Sequence, residues 1–285
     1  MKLSIITVCY NNLAGLKRTV ESINIQTARN AFEYIIIDGA SSDGTKNFLR
    51  STEIKIDKWT SEPDNGIYNA MNKGVDLASG DYCLFLNSGD VLHDCNVIEK
   101  AINEIDNHDL VIGKIIFLNS MSTSVVNTPI TLQRLYVGSI PHPGTFIRTE
   151  LLRENPYDES LKIASDWKFF LQALIIGNCS YKIVDLIITD FECDGISATN
   201  KDLCELEREQ VLKDLFPERI LLDYYQRTYG EGYEGSTYDN FYVKLRNYRY
   251  GEYLYSLNVL FMKFIALFRK GARFSRNYPV KLPRS

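Results

Sequence analysis

The chain is poor in the features that mark several protein classes. It has six cysteines, Cys9, Cys83, Cys95, Cys179, Cys193 and Cys204, and no two share the short spacing of a zinc ligand pair or a redox dithiol. Several sit inside apolar runs, so they read as reduced core thiols of a cytosolic protein rather than as a disulfide framework. No run approaches the ~18 consecutive apolar residues of a membrane-spanning helix. Met1-Lys2 leads directly into a strand-like segment that soon meets polar residues, so no secretory signal is expected. Familiar chemical motifs are missing too. No G-x-G-x-x-G follows the first strand, which argues against a nicotinamide or flavin dinucleotide, and there is neither an H-E-x-x-H nor a G-x-S-x-G. Gly39–Gly44 mimics a phosphate loop, but Thr45-Lys46 reverses the order such a loop needs and Asp43 would repel the phosphate.

What is present is an ordinary apolar fraction of 45% in 285 residues, enough for one large domain or a core with an appendage. The net charge of −4 is unevenly spread. From Phe241 onward there are ten Lys or Arg against the single acid Glu252, and the first 240 residues, with 22 basic and 35 acidic side chains, stand at −13. That asymmetry suggests a basic tail meeting an anionic surface. A nucleic acid is not expected as a partner, and an oligomer is left open.

Leu3–Cys9 is a β-branched apolar run ending in Tyr10-Asn11-Asn12, and Leu13, Leu16, Val20 and Ile23 then recur near the helical period. Tyr34–Ile37 reads as a second strand closed by Asp38-Gly39-Ala40, with a helix over Lys46–Arg50; Ile54–Trp59 reads as a third, closed by Pro63-Asp64-Asn65-Gly66. A helix over Ile67–Ala78 leads to Tyr82-Cys83-Leu84-Phe85-Leu86, which stops at Asn87-Ser88-Gly89-Asp90. A helix over Asp94–Ile105 and a strand over Leu110–Phe117 follow. Strands alternating with helices predict an α/β fold with a Rossmann-like, mainly parallel sheet. The clusters at Tyr10, Asp38, Asp64 and Asn87–Asp90 each follow a strand, so they converge on one sheet edge, where open α/β sheets bind ligands. Acids placed there suit hydrogen bonding to a base or ribose and retention of a hard divalent cation, and a nucleotide-diphosphate ligand uses both.

Other residues carry a site reading beside a structural one. Asn69, Asn72 and Lys73 share a helix face, where Lys73 either meets a diphosphate or is simply solvated. Asn119–Thr128 reads as a loop. His142 lies between Pro141 and Pro143 in a rigid turn, which favours a site role over a core histidine. Ser165 or Asp166 can cap a helix over Lys168–Ile176. Leu203–Leu215 reads as a charged helix and Phe216–Asn240 as loop-rich. Over Tyr242–Arg276, Leu254, Leu257, Phe261, Phe264 and Phe268 recur at helical steps among basic residues, a pattern suited to a membrane interface or to packing on the core or a second subunit.

The segments Ser4–Asn11, Ile36–Thr45, Ala70–Gly74 and Gly80–Asp90 resemble glycosyltransferase family 2, which has the GT-A fold, in the expected order over about the first 200 residues. The resemblance implies transfer of a sugar from a nucleotide sugar, a UDP-sugar first of all, with inversion and with bound Mg²⁺ or Mn²⁺. It implies that Tyr10 and Asp38 hold the nucleotide base with backbone contacts from Val8; Asp64, from its strand end, and Lys73, from its helix face, are counted with them as nucleotide-sugar-binding residues. Asn87-Ser88-Gly89-Asp90 falls at the family's acidic metal motif, with Asn87 and Gly89 where acids are frequent, so Asp90 is the expected metal ligand; this form is similar to that of enzymes building bacterial surface polysaccharides. His142 matches a position on the acceptor or diphosphate side, Asp166 matches the catalytic base, and Phe191–Ser197 is similar to a segment that closes over the donor phosphates. The expected organisation is a catalytic domain over 1–200, divided into a nucleotide-sugar half (1–117) and an acceptor half (118–200), then a mostly helical C-terminal extension over 201–285. The expected acceptor is a glycan or polyprenyl-linked hydroxyl at the inner face of the cytoplasmic membrane. A sugar nucleotidyltransferase and a non-catalytic nucleotide-sugar or glycan binder are the alternatives.

Overall fold

Strand β1 (Leu3–Cys9) is buried along its whole length, as a strand covered on both faces must be. In the computed structural model, which describes residues 3–229 apart from 52–54, 125, 127–128 and 193–199, β1 lies between β2 (Phe32–Asp38) and β4 (Tyr82–Phe85) and is parallel to both. Beyond β2, strand β3 (Lys58–Ser61) completes a parallel set. Helices α1 (Leu13–Asn24), α2 (Thr45–Leu49) and α3 (Ile67–Leu77) connect these strands. Leu16, Val20 and Ile23 of α1 join one core layer with Ile5, Tyr34, Ile36 and Leu84, and α4 (Val97–Glu104) adds Val97, Ile98 and Ala101 to it. α3 lies close to Ile6 and Ile37, which point to the other face of the sheet.

The parallel pattern holds only for this half. The sheet runs β3-β2-β1-β4-β8-β6-β9-β5, and β8 (Thr145–Arg148) enters antiparallel to both β4 and β6 (Leu110–Phe117). β9 (Tyr181–Phe191) is parallel to β6, β5 (Val91–Leu92) is antiparallel to β9, and β7 (Ser122–Thr123) pairs with β6. The short helices α5 (Leu132–Val137), α6 (Thr149–Glu154) and α7 (Ser165–Leu171) belong to this second half.

Three expectations shift. Ile54, the expected start of the third strand, lies outside the described residues; among the described ones 55–57 are not strand and β3 begins at Lys58, just after the Asp57 N–H meets the Tyr34 carbonyl at 3.0 Å and the Asp57 carboxylate takes the Tyr34 N–H at 2.8 Å. The helix expected over Lys168–Ile176 begins at Ser165 and ends in a π-helical stretch, Gln172–Ile176, whose register is seen in the 2.8 Å bond from Gly177 N–H to Gln172 O. Ala164, not Ser165 or Asp166, is its N-cap, and no side chain within the turn caps it. Part of the expected loop-rich region is helical. After α8 (Lys201–Leu215), helix α9 (Glu218–Tyr229) starts at Pro217, whose carbonyl accepts the Ile220 and Leu221 N–H groups, and the glycines that suggested loop fall beyond its end. The chain divides into two units after Leu215, which places α8 with the first and α9 with the second. The amphipathic stretch 242–276 lies outside the described residues. Among the described residues Cys9, Cys83, Cys95, Cys179 and Cys204 are free thiols.

Candidate active site

Because β1, β2, β3 and β4 are parallel, their carboxyl ends share one edge, and the polar clusters that follow them border a cleft of about 630 Å³. Val8, Tyr10, Asp64, Asn87, Ser88, Asp90, His142 and Asp166 all line it. The loops are tied together locally. Asn11, in the left-handed region at φ 48°, donates its N–H to Ser41 Oγ and accepts the Ser42 N–H on Oδ1. Asp43, which argued against a phosphate loop, takes the Leu13 N–H at 2.7 Å and the Thr45 N–H at 3.1 Å, so it joins α1 to α2. Burial opposes its charge, but these bonds hold its carboxyl below the usual range.

On the β2 side, Asp38 is fully buried, and its carboxylate accepts the Ser61 hydroxyl at 2.7 Å and the Ser41 N–H at 3.3 Å. Tyr10 is 67% exposed at the mouth of the cleft, so a ring face is free for a planar ligand. Gly39 sits where these groups converge: a Cβ there would lie 2.4 Å from Asp64 Oδ2 and 3.2 Å from the Tyr10 ring, so close approach requires glycine. Lys73 is outside the cleft lining, with its ammonium on Glu62 at 2.9 Å and on the Pro63 carbonyl at 3.1 Å. Its neighbours on that helix face, Asn69 and Asn72, hold the two oxygens of Glu159.

Behind β4 the chain turns sharply at Gly89, φ 116°. Its N–H reaches Thr19 Oγ at 3.0 Å, and a Cβ would collide with Glu192. This turn buries Asp90, whose Oδ1 accepts the Glu192 N–H at 3.2 Å while Oδ2 has no partner. Burial pushes the Asp90 carboxyl up to about 7. Asn87 Oδ1 is likewise buried and unpartnered, and its amide nitrogen lies 3.4 Å from His142 Nε2. Two orphaned oxygens beside a cleft are what a hard cation or a hydrogen-bond donor would satisfy.

Asp166, in the first turn of α7, also lines the cleft. Its Oδ2 is 3.2 Å from His142 Nδ1, and its Oδ1 lies 3.0 Å from the Tyr68 hydroxyl, which also meets the Ile163 carbonyl. Burial opposes the charge, yet the His142 hydrogen bond and charge outweigh it and hold the Asp166 carboxyl below its ordinary value. One cleft is thus lined by a carboxylate kept ionised, Asp166, and by another pushed toward neutrality, Asp90.

Two side chains, Tyr68 and Arg18, went unnoticed in the sequence, whereas Glu192 belongs to the segment Phe191–Ser197 already singled out. Tyr68 lies on the buried face of α3 with Met71 and Val75, and a tyrosine on such a face must find a partner for its hydroxyl, which was the available signal. Glu192 closes the Asp90 side and pairs with Arg18 of α1 at 2.5 Å. Nothing local marks Arg18, since the two residues are 174 positions apart. Of the segment Phe191–Ser197, Phe191 and Glu192 line the cleft and residues 193–197 lie outside the described ones.

Comparison with known proteins places this arrangement. The chain is 31% identical over 205 residues to an uncharacterized glycosyltransferase of Mycobacterium tuberculosis, covering 68% of this chain and 76% of the relative. It is 28% identical over 214 residues to a PGL/p-HBAD biosynthesis glycosyltransferase of Mycobacterium bovis, covering 72% and 82%. Among solved structures it is similar to residues 1–349 of TarS from S. aureus in complex with UDP-GlcNAc, with TM-score 0.60, 21% identity and coverage of 79% of this chain and 73% of that one. Against another solved TarS chain it covers 81% of itself but 44% of TarS. A mannosyltransferase from Pyrobaculum calidifontis in complex with GDP-Man and Mn²⁺ gives TM-score 0.55 at 16% identity, over 77% of this chain and 64% of that one. The fold is therefore that of the GT-A glycosyltransferases, a curled sheet flanked by helices. Residues 4–163 match the model of the family described as glycosyl transferase family 2, and with more than half its length so matched this chain belongs to that family and is a glycosyltransferase.

Proposed function

We propose that the chain is an inverting transferase that moves a sugar from a UDP-sugar to a hydroxyl of a glycan or polyprenyl-linked acceptor in bacterial surface polysaccharide synthesis. The observation that carries this reading is a pair of carboxylates lining one cleft: Asp166, kept ionised by His142, and Asp90 with its unpartnered Oδ2. An ionised carboxylate accepts a proton, and this one takes it from the attacking acceptor hydroxyl as the new glycosidic bond forms on the face opposite the departing diphosphate. His142 and Tyr68 hold the two oxygens of Asp166, so a productive orientation is preset. Tyr10 offers a stacking surface to the base, with Asp64 and Val8 lining the same cleft, while Asp38 lies outside the lining and holds Ser61 and Ser41 behind it. Lys73 enters this reading only by way of Glu62 and the loop that carries Asp64.

The donor set fits a divalent cation. Asp90 Oδ2 and Asn87 Oδ1 are unpartnered hard oxygens, and Ser88 and Gly89 supply the turn between them. Among the described residues no three His, Cys, Asp or Glu side chains form a cage, so in this reading the remaining ligands would be the donor's phosphate oxygens and water. Mg²⁺ or Mn²⁺ would be held by Asp90 with Asn87, and when bound it supplies Lewis-acid stabilisation of the diphosphate. The TarS complex with UDP-GlcNAc and the mannosyltransferase complex with Mn²⁺ support the donor class and the metal by likeness of fold. Among the described residues no helix is long and apolar enough to cross a membrane, and the basic stretch 242–276 is the candidate for peripheral contact at the cytoplasmic face.

Calorimetry with UDP-, GDP- and dTDP-sugars, with and without Mn²⁺, tests the donor site, and binding of no nucleotide would sink the reading. Asp166→Ala is expected to lower transfer by roughly 10²–10⁴-fold with nucleotide affinity unchanged. Wild-type transfer by that variant would remove Asp166 from the role of base.

A further inference from the structure

Helix α8 reaches back to the base through two adjacent residues. Glu207 Oε1 accepts the Lys162 N–H at 2.7 Å, and its Oε2 accepts those of Ile163 at 2.9 Å and Ala164 at 3.0 Å. These three residues lead directly into α7, whose N-cap Ala164 has no side-chain cap of its own. Glu207, 43 residues beyond Ala164, therefore fixes the N-cap amide and the two amides before it, which lead into the helix. Arg208 lays its guanidinium 4.7 Å from the centre of the Trp167 ring and donates to the Gly138 carbonyl at 3.2 Å. Trp167 is buried, and its indole N–H is bonded to Leu135 O at 2.8 Å.

Asp166 is thus gripped on both sides: the amides before it belong to Glu207 and the ring after it to Arg208. Both backbone polar groups of Ile163 are engaged, the N–H by Glu207 and the carbonyl by the Tyr68 hydroxyl, whose single proton it shares with Asp166 Oδ1. The Gly138 contact extends the grip to the segment that leads to His142. A helix docked only for its own stability buries an apolar face. In α8 only Val211 and Leu212 are buried while Leu206 is exposed, and its contacts with the site are made by charged groups.

We infer that Glu207 and Arg208 are positioning residues for Asp166, so that α8, which lies beyond the residues matched by the family model, completes the acceptor side of the catalytic centre. The inference rests on the reading of Asp166 as the base. A displacement of about 1 Å in a catalytic group costs up to about a hundredfold in rate, and three amide bonds to one carboxylate prevent it here.

The test uses the full chain and a readout that does not depend on knowing the acceptor. The protein has three histidines, so the ring N–H resonance of His142 is readily assigned beside those of His93 and His108. In wild type this resonance is expected downfield, hydrogen-bonded to Asp166. Asp166→Asn should abolish the shift, and Glu207→Ala should move it partway while His93 and His108 stay in place. Amide exchange over 162–168 should accelerate in the same variant. Glu207→Gln and Arg208→Lys repeat the measurement if Glu207→Ala does not fold. A His142 resonance unmoved by the Glu207 and Arg208 variants, or unmoved even by Asp166→Asn, would overturn the inference. Transfer assays keep the two readings apart: full transfer by Asp166→Asn refutes the base, whereas a dead Asp166→Asn beside a Glu207→Ala of wild-type kcat refutes only the positioning role.

Discussion

At the scale of single residues, the site depends on which polar atoms are satisfied. Tyr68 holds Asp166 Oδ1, so Tyr68→Phe is expected to lower kcat by about tenfold, the worth of a hydrogen bond to a charged group, while leaving nucleotide affinity at the wild-type value in calorimetry. Tyr157 presents the opposite case. Its ring packs against Tyr68, Phe85 and Phe169, yet its buried hydroxyl has no partner. Tyr157→Phe removes a desolvated hydroxyl and keeps the ring, so thermal melting should show equal or greater stability, by up to about 1 kcal/mol. Asp90 Oδ2 and Asn87 Oδ1 are also orphaned, but they face a cleft. Asp90→Ala should therefore abolish Mn²⁺ binding measured by calorimetry and leave the melting temperature unchanged or raised.

At the scale of elements, the buried strands carry one charge that apolar periodicity did not announce. Glu33 lies inside β2 at 2% exposure, one residue before the run that reads as a strand. Burial raises its carboxyl, but the Ser4 hydroxyl, the Ser79 N–H and hydroxyl and the Lys58 ammonium outweigh that and hold it at about 2. A carboxyl depressed on folding stabilises the protein above its unfolded value and stops doing so as pH falls toward the folded one. Wild type should lose on the order of 3 kcal/mol from this group between pH 5 and pH 2, and Glu33→Gln should not. Denaturant unfolding at a series of pH values would show the wild-type advantage shrinking over that window, and an advantage independent of pH would refute the account. The same ties join β1, β2, β3 and the residues before β4, which is why the parallel half of the sheet keeps its register. Helix α7 shows the converse: it has no side-chain cap, and the amides of its N-cap Ala164 and of Ile163 are held by Glu207 from α8.

At the scale of the whole molecule, the first unit ends at Leu215, so a chain ending there should unfold cooperatively and bind the same nucleotide as the full chain. A chain ending at residue 200 lacks Glu207 and Arg208 and should keep nucleotide binding while losing transfer. Equal transfer by the two truncated chains would contradict a role for α8.

Most strands and helices up to Phe117 were legible because β1, β2, β4 and β6 are mainly apolar and α1, α3 and α4 each bury one face, and those patterns are local; β3, the half-buried Lys58–Ser61, was the exception. The same logic put Tyr10, Asp38, Asp64 and Asn87–Asp90 on one edge, since parallel strands must end together. The second half was less legible. β5 and β7 are two residues long, β8 is antiparallel, and α9 lies in a stretch whose glycines suggested a loop, so neither period nor composition identified them. Only tertiary structure decided that Asp166 is held by His142 and Tyr68 instead of capping its helix, that Lys73 is spent on Glu62, and that Arg18 and Glu192 meet. The physical reason is common to all of them: hydrogen bonds and ion pairs between residues far apart in the chain leave no period in the sequence, whereas burial of a strand or of a helix face does.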